Sequence, residues 1–138
     1  MITDPTALFD QVAAATHQAR KALRKAAHEW GAQLDTGPLP PWLRDRCADL
    51  LAALAARRVR CCAHLAPAPR VAHAALWRPG LLLCSACVGL LAADPVEDAT
   101  CDRCRRHVRR ILPGTVALGP ILLAYGLCQP CAAETDPA

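Results

Sequence analysis

The sequence predicts a small α+β protein in which an N-terminal helical hairpin precedes two tandem β-hairpin units. Three observations carry that expectation. Apolar residues recur at three- and four-residue steps through residues 1–60, the period of an amphipathic helix. Cysteines then arrive in close pairs. Between the pairs, short aliphatic runs flank Pro-Gly turns, the pattern of a hairpin. At 138 residues with only Phe9, Trp30, Trp42, Trp77 and Tyr125 as aromatics, the chain cannot build a thick core, so something besides packing must hold it.

Taken in order, Thr3 or Asp4 before Pro5 reads as a helix start, because a short polar side chain caps free amides and proline suits the first helical position. Leu8, Val12, Ala15, Ala19, Ala22 or Leu23, Ala26, Trp30 and Leu34 then mark the apolar stripe of a helix to about Gln33. Its outer face carries His17, Arg20, Lys21, Arg24, Lys25 and His28, a solvated basic face that is also a candidate contact for an anionic partner. Asp35 to Pro40 breaks the helix with glycine and proline. Pro41 opens a second helix whose stripe of Trp42, Leu43, Cys47, Leu50, Leu51, Leu54 and Val59 is expected to pair with the first. Cys47, with no cysteine or histidine near it in sequence, reads as a small buried hydrophobe.

From Cys61 the chain falls into two halves of the same layout. The first runs from Cys61-Cys62-Ala63-His64 through Val71–Trp77, an Arg78-Pro79-Gly80 turn and Leu81–Leu83 into Cys84 and Cys87. The second runs from Cys101 and Cys104 through Val108–Leu112, a Pro113-Gly114 turn and Thr115–Leu127 into Cys128 and Cys131. The implied organisation is a helical hairpin over 1–60, a first metal-binding unit over 61–93, a linker over 94–100 and a second unit over 101–138.

A C-x-x-C turn puts two sulfurs at adjacent corners of a tetrahedron, and two such turns close a four-ligand structural site. Four pairs are the number for two ions. Cys101, Cys104, Cys128 and Cys131 make an all-thiolate set; Cys61, His64, Cys84 and Cys87 make the other, with Cys61 chosen on spacing and Cys62 the alternative. His64 is expected to bind through one ring nitrogen and give the other to an acceptor. The metal expected is Zn2+, two per chain and structural, with rubredoxin-like iron the alternative for the all-cysteine set. His73 and His107 read as surface residues and not as ligands.

From Cys61 to Cys131 the sequence resembles the zinc-ribbon class of zinc-finger proteins, in which two knuckles on β-hairpins hold one ion. Val88, Arg105 and Ala132 stand where the commonest ribbon knuckle has glycine. Cross-brace RING and PHD fingers and fused LIM fingers also use eight ligands, but with their middle pairs close together. Here residues 88–100 separate the second pair from the third, so the expectation is one ion per half, with interleaved pairing the alternative.

The formal charge of +4 counts every thiol as neutral. Three thiolates and a neutral histidine leave a zinc site at −1 and four thiolates leave it at −2, so the metallated chain carries about +1. A whole-chain attraction to polyanions nearly disappears, and the nucleic-acid alternative rests on the local cluster Arg103, Arg105, Arg106, Arg109 and Arg110. Val116, Leu118, Ile121, Leu122, Leu123 and Tyr125 exceed what one small hairpin can bury and are a candidate partner surface. No signal peptide is evident, no apolar run is long enough to span a bilayer, and paired cysteines without a secretory leader point to a reducing, cytoplasmic setting. There is no phosphate loop and no paired acid set. The expected role is therefore a non-enzymatic zinc-binding adaptor or regulator with an unidentified protein partner. A nucleic-acid-binding regulator is the first alternative, and a redox or metal-buffering protein the second.

Overall fold

Two antiparallel hairpins lie side by side in one mixed sheet. The computed structural model describes residues 5–29, 38–65 and 69–135. Its strands are β1 (Arg60–Cys61), β2 (Ala72–Ala75), β3 (Leu81–Cys84), β4 (Leu112–Leu118) and β5 (Ile121–Leu127), in the spatial order β1-β3-β2-β5-β4. β2 pairs antiparallel with β3, and β4 with β5. The hairpins join where β2 runs parallel to β5, Ala72 opposite Ile121 and Ala75 opposite Ala124. The expected tandem arrangement is thus corrected to a shared sheet. Ala72, Ala74 and Ala75 are buried, and buried strand backbone needs a partner on both sides.

The helices correct the expected hairpin too. α1 (Pro5–Glu29) and α2 (Pro41–Ala55) cover opposite faces of the sheet instead of each other. Side chains alternate along a strand, so β5 sends Ile121 and Leu123 one way and Leu122 and Ala124 the other. Cys47 of α2 is buried with Ala72, Ala74, Leu82, Ile121 and Leu123, and Leu50, Leu54, Val116 and Leu118 pack around them. On the other face, Ala22, Leu23 and Ala26 of α1 line a groove with Leu122, Ala124, Trp77 and Leu91. A sheet with two apolar faces takes both helices, where a helix pair would have left one face wet.

α1 reaches the sheet through its small residues, Ala15 and Ala19, which are buried. Thr16 lies beside the β4–β5 turn at Gly119, so the first turns of α1 overhang the sheet and leave Leu8, Phe9 and Val12 exposed. The basic residues of α1 are exposed as expected. The expected N-cap at Thr3 or Asp4, Trp30, the helix end near Gln33, Leu34 and Asp35–Gly37 lie outside the described residues. Pro41 opens α2 as anticipated, with the Leu43 and Arg44 amides donating to the Pro40 carbonyl. α2 closes with Arg57 in the left-handed region at φ 57° and the Arg58 amide reaching back to the Ala53 carbonyl.

The second hairpin turns later than its sequence implied. Pro113 and Gly114 sit inside β4, and the turn falls at Gly119-Pro120, with Gly119 at φ 59°. β4 is an edge strand, where a missing proline N–H costs no ladder bond. Gly114 is opposite Tyr125, whose ring lies where a Cβ would stand. The run from Thr115 to Leu127, read as one strand, is therefore the two arms of a hairpin. The connector after the first unit contains α3 (Pro95–Asp98), capped by Asp94 accepting from the Glu97 amide at 2.8 Å. The chain then continues through the second hairpin into α4 (Gln129–Thr135).

Candidate metal centre

Two four-residue sets of donor atoms stand at opposite ends of the sheet. In the first, the ligand atoms of Cys62, His64, Cys84 and Cys87 all lie within 4.8 Å of one another; in the second, those of Cys101, Cys104, Cys128 and Cys131 do. Ligand pairs thus combine sequentially, one set per half. β2 runs parallel to β5, and the first set gathers where β2 starts while the second gathers where β5 ends. A seven-residue strand spans about 20 Å, so the sets are independent.

Cys62, not Cys61, joins His64. Cys61 is still in β1, paired opposite Leu82, and its side chain is exposed. The next residue points the other way and begins the 3-10 turn Ala63–Leu65 that swings His64 into place. The Cys62 Sγ accepts the Cys84 amide at 3.3 Å. His64 presents Nδ1, 3.6 Å from the Cys84 Sγ and 3.4 Å from the Cys87 Sγ. The ring is exposed, and no acceptor for Nε2 is found among the described residues, where one was expected.

In the second set the hairpin brings together a tight turn and a helix start. The Arg105 amide donates to the Cys101 carbonyl at 2.9 Å and the Cys101 amide to the Arg106 carbonyl at 2.9 Å, a knuckle that needs a left-handed residue after Cys104. Arg105 supplies it at φ 64°, in place of the glycine usual there. Cys128 and Cys131 lie at the opening of α4, so this pair departs from the strand-end knuckle that the sequence implied. Cys104 Sγ lies 3.7 Å from Cys128 Sγ.

These separations fit a tetrahedral ion. With Zn–S near 2.3 Å and Zn–N near 2.0 to 2.1 Å, tetrahedral angles put two sulfurs about 3.8 Å apart and a sulfur and a nitrogen about 3.6 Å apart. The donor chemistry points the same way. The Cys84 amide holds the Cys62 thiol down at about 6. Burial works against Cys101, but the Cys104, Cys128 and Arg103 amides still bring it to about 6. Cys87 is pushed up to about 11, first by its hydrogen bond with Cys84 and then by burial. Cys131 is pushed up to about 12 by burial and by the neighbouring thiols. Each set has one thiol ready to ionise and another kept protonated by crowding, a conflict that a bound dication resolves.

Asp102 was not anticipated as part of the centre. Its side chain is 4% exposed, Oδ2 accepts the Gly126 amide at 2.6 Å, and its own amide donates to the Gly126 carbonyl at 2.8 Å. Burial pushes its carboxyl up, against the pull of Gly126 and Arg105. It fastens the knuckle to β5 two residues before Cys128. Nothing in the sequence marks an aspartate inside a C-x-x-C turn as a fastener.

The arginine cluster is partly spent on structure. Arg103 pairs with Glu134 at 2.9 Å and stacks its guanidinium 5.9 Å from the Trp42 ring centre, and Arg105 lies 3.7 Å from Asp102. Arg106, Arg109 and Arg110 are exposed. The proposed partner surface is corrected: Ile121, Leu122 and Leu123 are buried, Val116, Leu118 and Tyr125 are half-buried, and the two helices cover them. Trp42 packs edge-on to Tyr125, centroids 5.8 Å apart, against the second set. Trp77 packs on the buried cluster of Ala75, Leu83 and Leu91, against which Cys62 and Cys87 of the first set also pack.

Fold and site together define a small α+β metal-binding protein, a mixed sheet with two cysteine-rich four-ligand sets. No family model, curated protein or solved structure matches the chain. No helix among the described residues is long and apolar enough to cross a membrane.

Proposed function

We propose that the protein is a non-enzymatic, zinc-stapled scaffold that works through protein contacts. The observation that carries this is the completeness of the two donor sets. Each supplies four protein ligands, which fills a tetrahedral ion and leaves no position for substrate or water. Zinc suits three thiolates and an imidazole, and four thiolates, and binding on the order of 10 kcal/mol per site would hold a fold whose core is mainly alanine and leucine. The likeness to zinc ribbons covers the Cys101–Arg106 knuckle and the hairpin after it, and stops at Cys128 and Cys131, which open a helix. A protein-contact role is supported by apolar side chains that the fold leaves outside, Phe9 at 74% exposed, Leu90 at 68% and Val96 at 66%. A nucleic-acid role has less to draw on, since two of the five arginines in the cluster are tied to Glu134, Trp42 and Asp102.

Elemental analysis with native mass spectrometry tests the metal: two zinc ions per chain are expected, and iron or a single ion would refute the assignment. A gel shift across salt concentration tests the role. No retardation at low salt is expected, and strong retardation that weakens with salt would replace the scaffold with a nucleic-acid binder.

A further inference from the structure

We propose that the His64-containing set is an exchangeable zinc site whose occupancy sets one wall of the groove beneath α1, whereas the all-cysteine set keeps its ion. This rests on the zinc assignment and adds a division of labour to it.

Access differs between the sets. In the all-cysteine set Cys101, Cys128 and Cys131 are 0%, 3% and 7% exposed and Cys104 alone of the four is exposed, while in the first set only Cys84 is buried; Cys62 and Cys87 are half-buried and His64 is exposed. A chelator or an acceptor thiol must touch the ion to take it, and the first set opens on three of its four ligands where the other opens on Cys104 alone. Anchorage differs as well. The Cys101–Cys104 knuckle is fastened to β5 by Asp102, and Cys128 and Cys131 are continuous with β5 and α4. Cys62 and His64 follow a two-residue edge strand and sit on one 3-10 turn.

The consequence of losing that ion is local and specific. Cys87 leads directly into the 3-10 turn Val88–Leu91, and Val88, Leu91 and Ala92 form a wall of the groove of about 470 Å³ opposite Ala22 and Ala26 of α1. Besides the ion, three side-chain bonds among the described residues hold this segment: Trp77 Nε1 donates to the Leu91 carbonyl at 2.6 Å, Arg78 to the Ala92 carbonyl at 3.5 Å, and His73 Nε2 meets the Ser85 hydroxyl at 3.0 Å. When Zn2+ passes to a chelator, the three thiolates take up protons from solvent and no oxidant is required. Cys87 is then released and the wall loses its main anchor.

The test uses the zinc-loaded full chain and a chelator of graded concentration. Native mass spectrometry counts ions, a pulse of N-ethylmaleimide marks free thiols, and hydrogen–deuterium exchange follows the backbone. A one-zinc species is expected in which Cys62, Cys84 and Cys87 react about tenfold or more faster than Cys101, Cys128 and Cys131, because reactivity follows local opening. Residues 88–92 should take up deuterium faster in that species while 128–135 stay protected. Simultaneous loss of both ions, or earlier reaction of the all-cysteine set, overturns the proposal. A one-zinc species with 88–92 as protected as before overturns the coupling to the groove. Anything other than two zinc ions at the outset refutes the zinc assignment itself, and the proposal falls with it.

Discussion

Replacing Asp102 by alanine should weaken the all-cysteine site without touching the other. The carboxylate is 4% exposed and accepts the Gly126 amide at 2.6 Å, so water cannot easily take its place. An N–H left unpaired in such a position costs about 1 to 3 kcal/mol. At about 1.4 kcal/mol per tenfold, that is roughly a 5- to 140-fold loss of zinc affinity, which brackets the roughly 10- to 100-fold found when partners behind a metal ligand are removed. Asp102→Asn keeps a side-chain oxygen for the Gly126 amide. It also relieves the burial that raises the carboxyl pKa, so it should stay near the wild type. Competition against a fluorescent zinc indicator, with ions counted by native mass spectrometry, gives both affinities in one protein. Equal affinity for Asp102→Ala and wild type would refute the fastening role. If Asp102→Asn fell as far as Asp102→Ala, charge and not the acceptor would be what matters.

Cys61→Ser should keep two zinc ions and Cys62→Ser should lose the ion of the first set; the reverse, by native mass spectrometry, would contradict the strand geometry at β1. Arg105→Gly should raise the thermal midpoint, since relieving the left-handed backbone at φ 64° is worth about 1 kcal/mol against a long ion pair of 3.7 Å whose arginine is 66% exposed and which is worth less. Arg105→Val should lower it. Gly114→Ala puts a Cβ into the ring of Tyr125 and should cost about 1 to 3 kcal/mol in denaturant unfolding; an unchanged midpoint would refute the close contact. Burial holds the His73 imidazole below its usual value, so as pH falls below about 6.5 the unfolded chain takes the proton first. The stabilisation present above that pH is lost as pH drops through the folded value. His73→Gln should therefore lose less stability between neutral and mildly acidic pH, and parallel losses would refute the burial effect.

The sequence carried the local features and missed those that depend on distant neighbours. Helix period, Pro41, the Arg78-Pro79-Gly80 turn and three of the four ligand pairs are local in sequence, and the structure has them. Spacing favours Cys61, but only the strand pairing with Leu82 decides which of two adjacent thiols faces inward. Pro113-Gly114 looks like a turn until an edge position and the ring of Tyr125 explain it. Apolar stripes on both helices match them to each other in the sequence; that a sheet claims each stripe depends on β2 pairing with β5 across nearly fifty residues. The apolar run 116–125 was in excess for one hairpin and is what a sheet covered on both faces requires.

The parallel junction between β2 and β5 also bears on how the chain is made. When the first hairpin has left the ribosome, β5 has not, and Ala72–Ala75 is a bare, uncharged strand edge of the kind that pairs with other chains. Zinc held by the first set cannot cover it, because the missing neighbour is encoded almost fifty residues later. The vulnerable interval is therefore one of synthesis and not of metal supply. Chains interrupted between Ala93 and Ile121 should aggregate even in ample zinc, while chains complete through Cys131 should not.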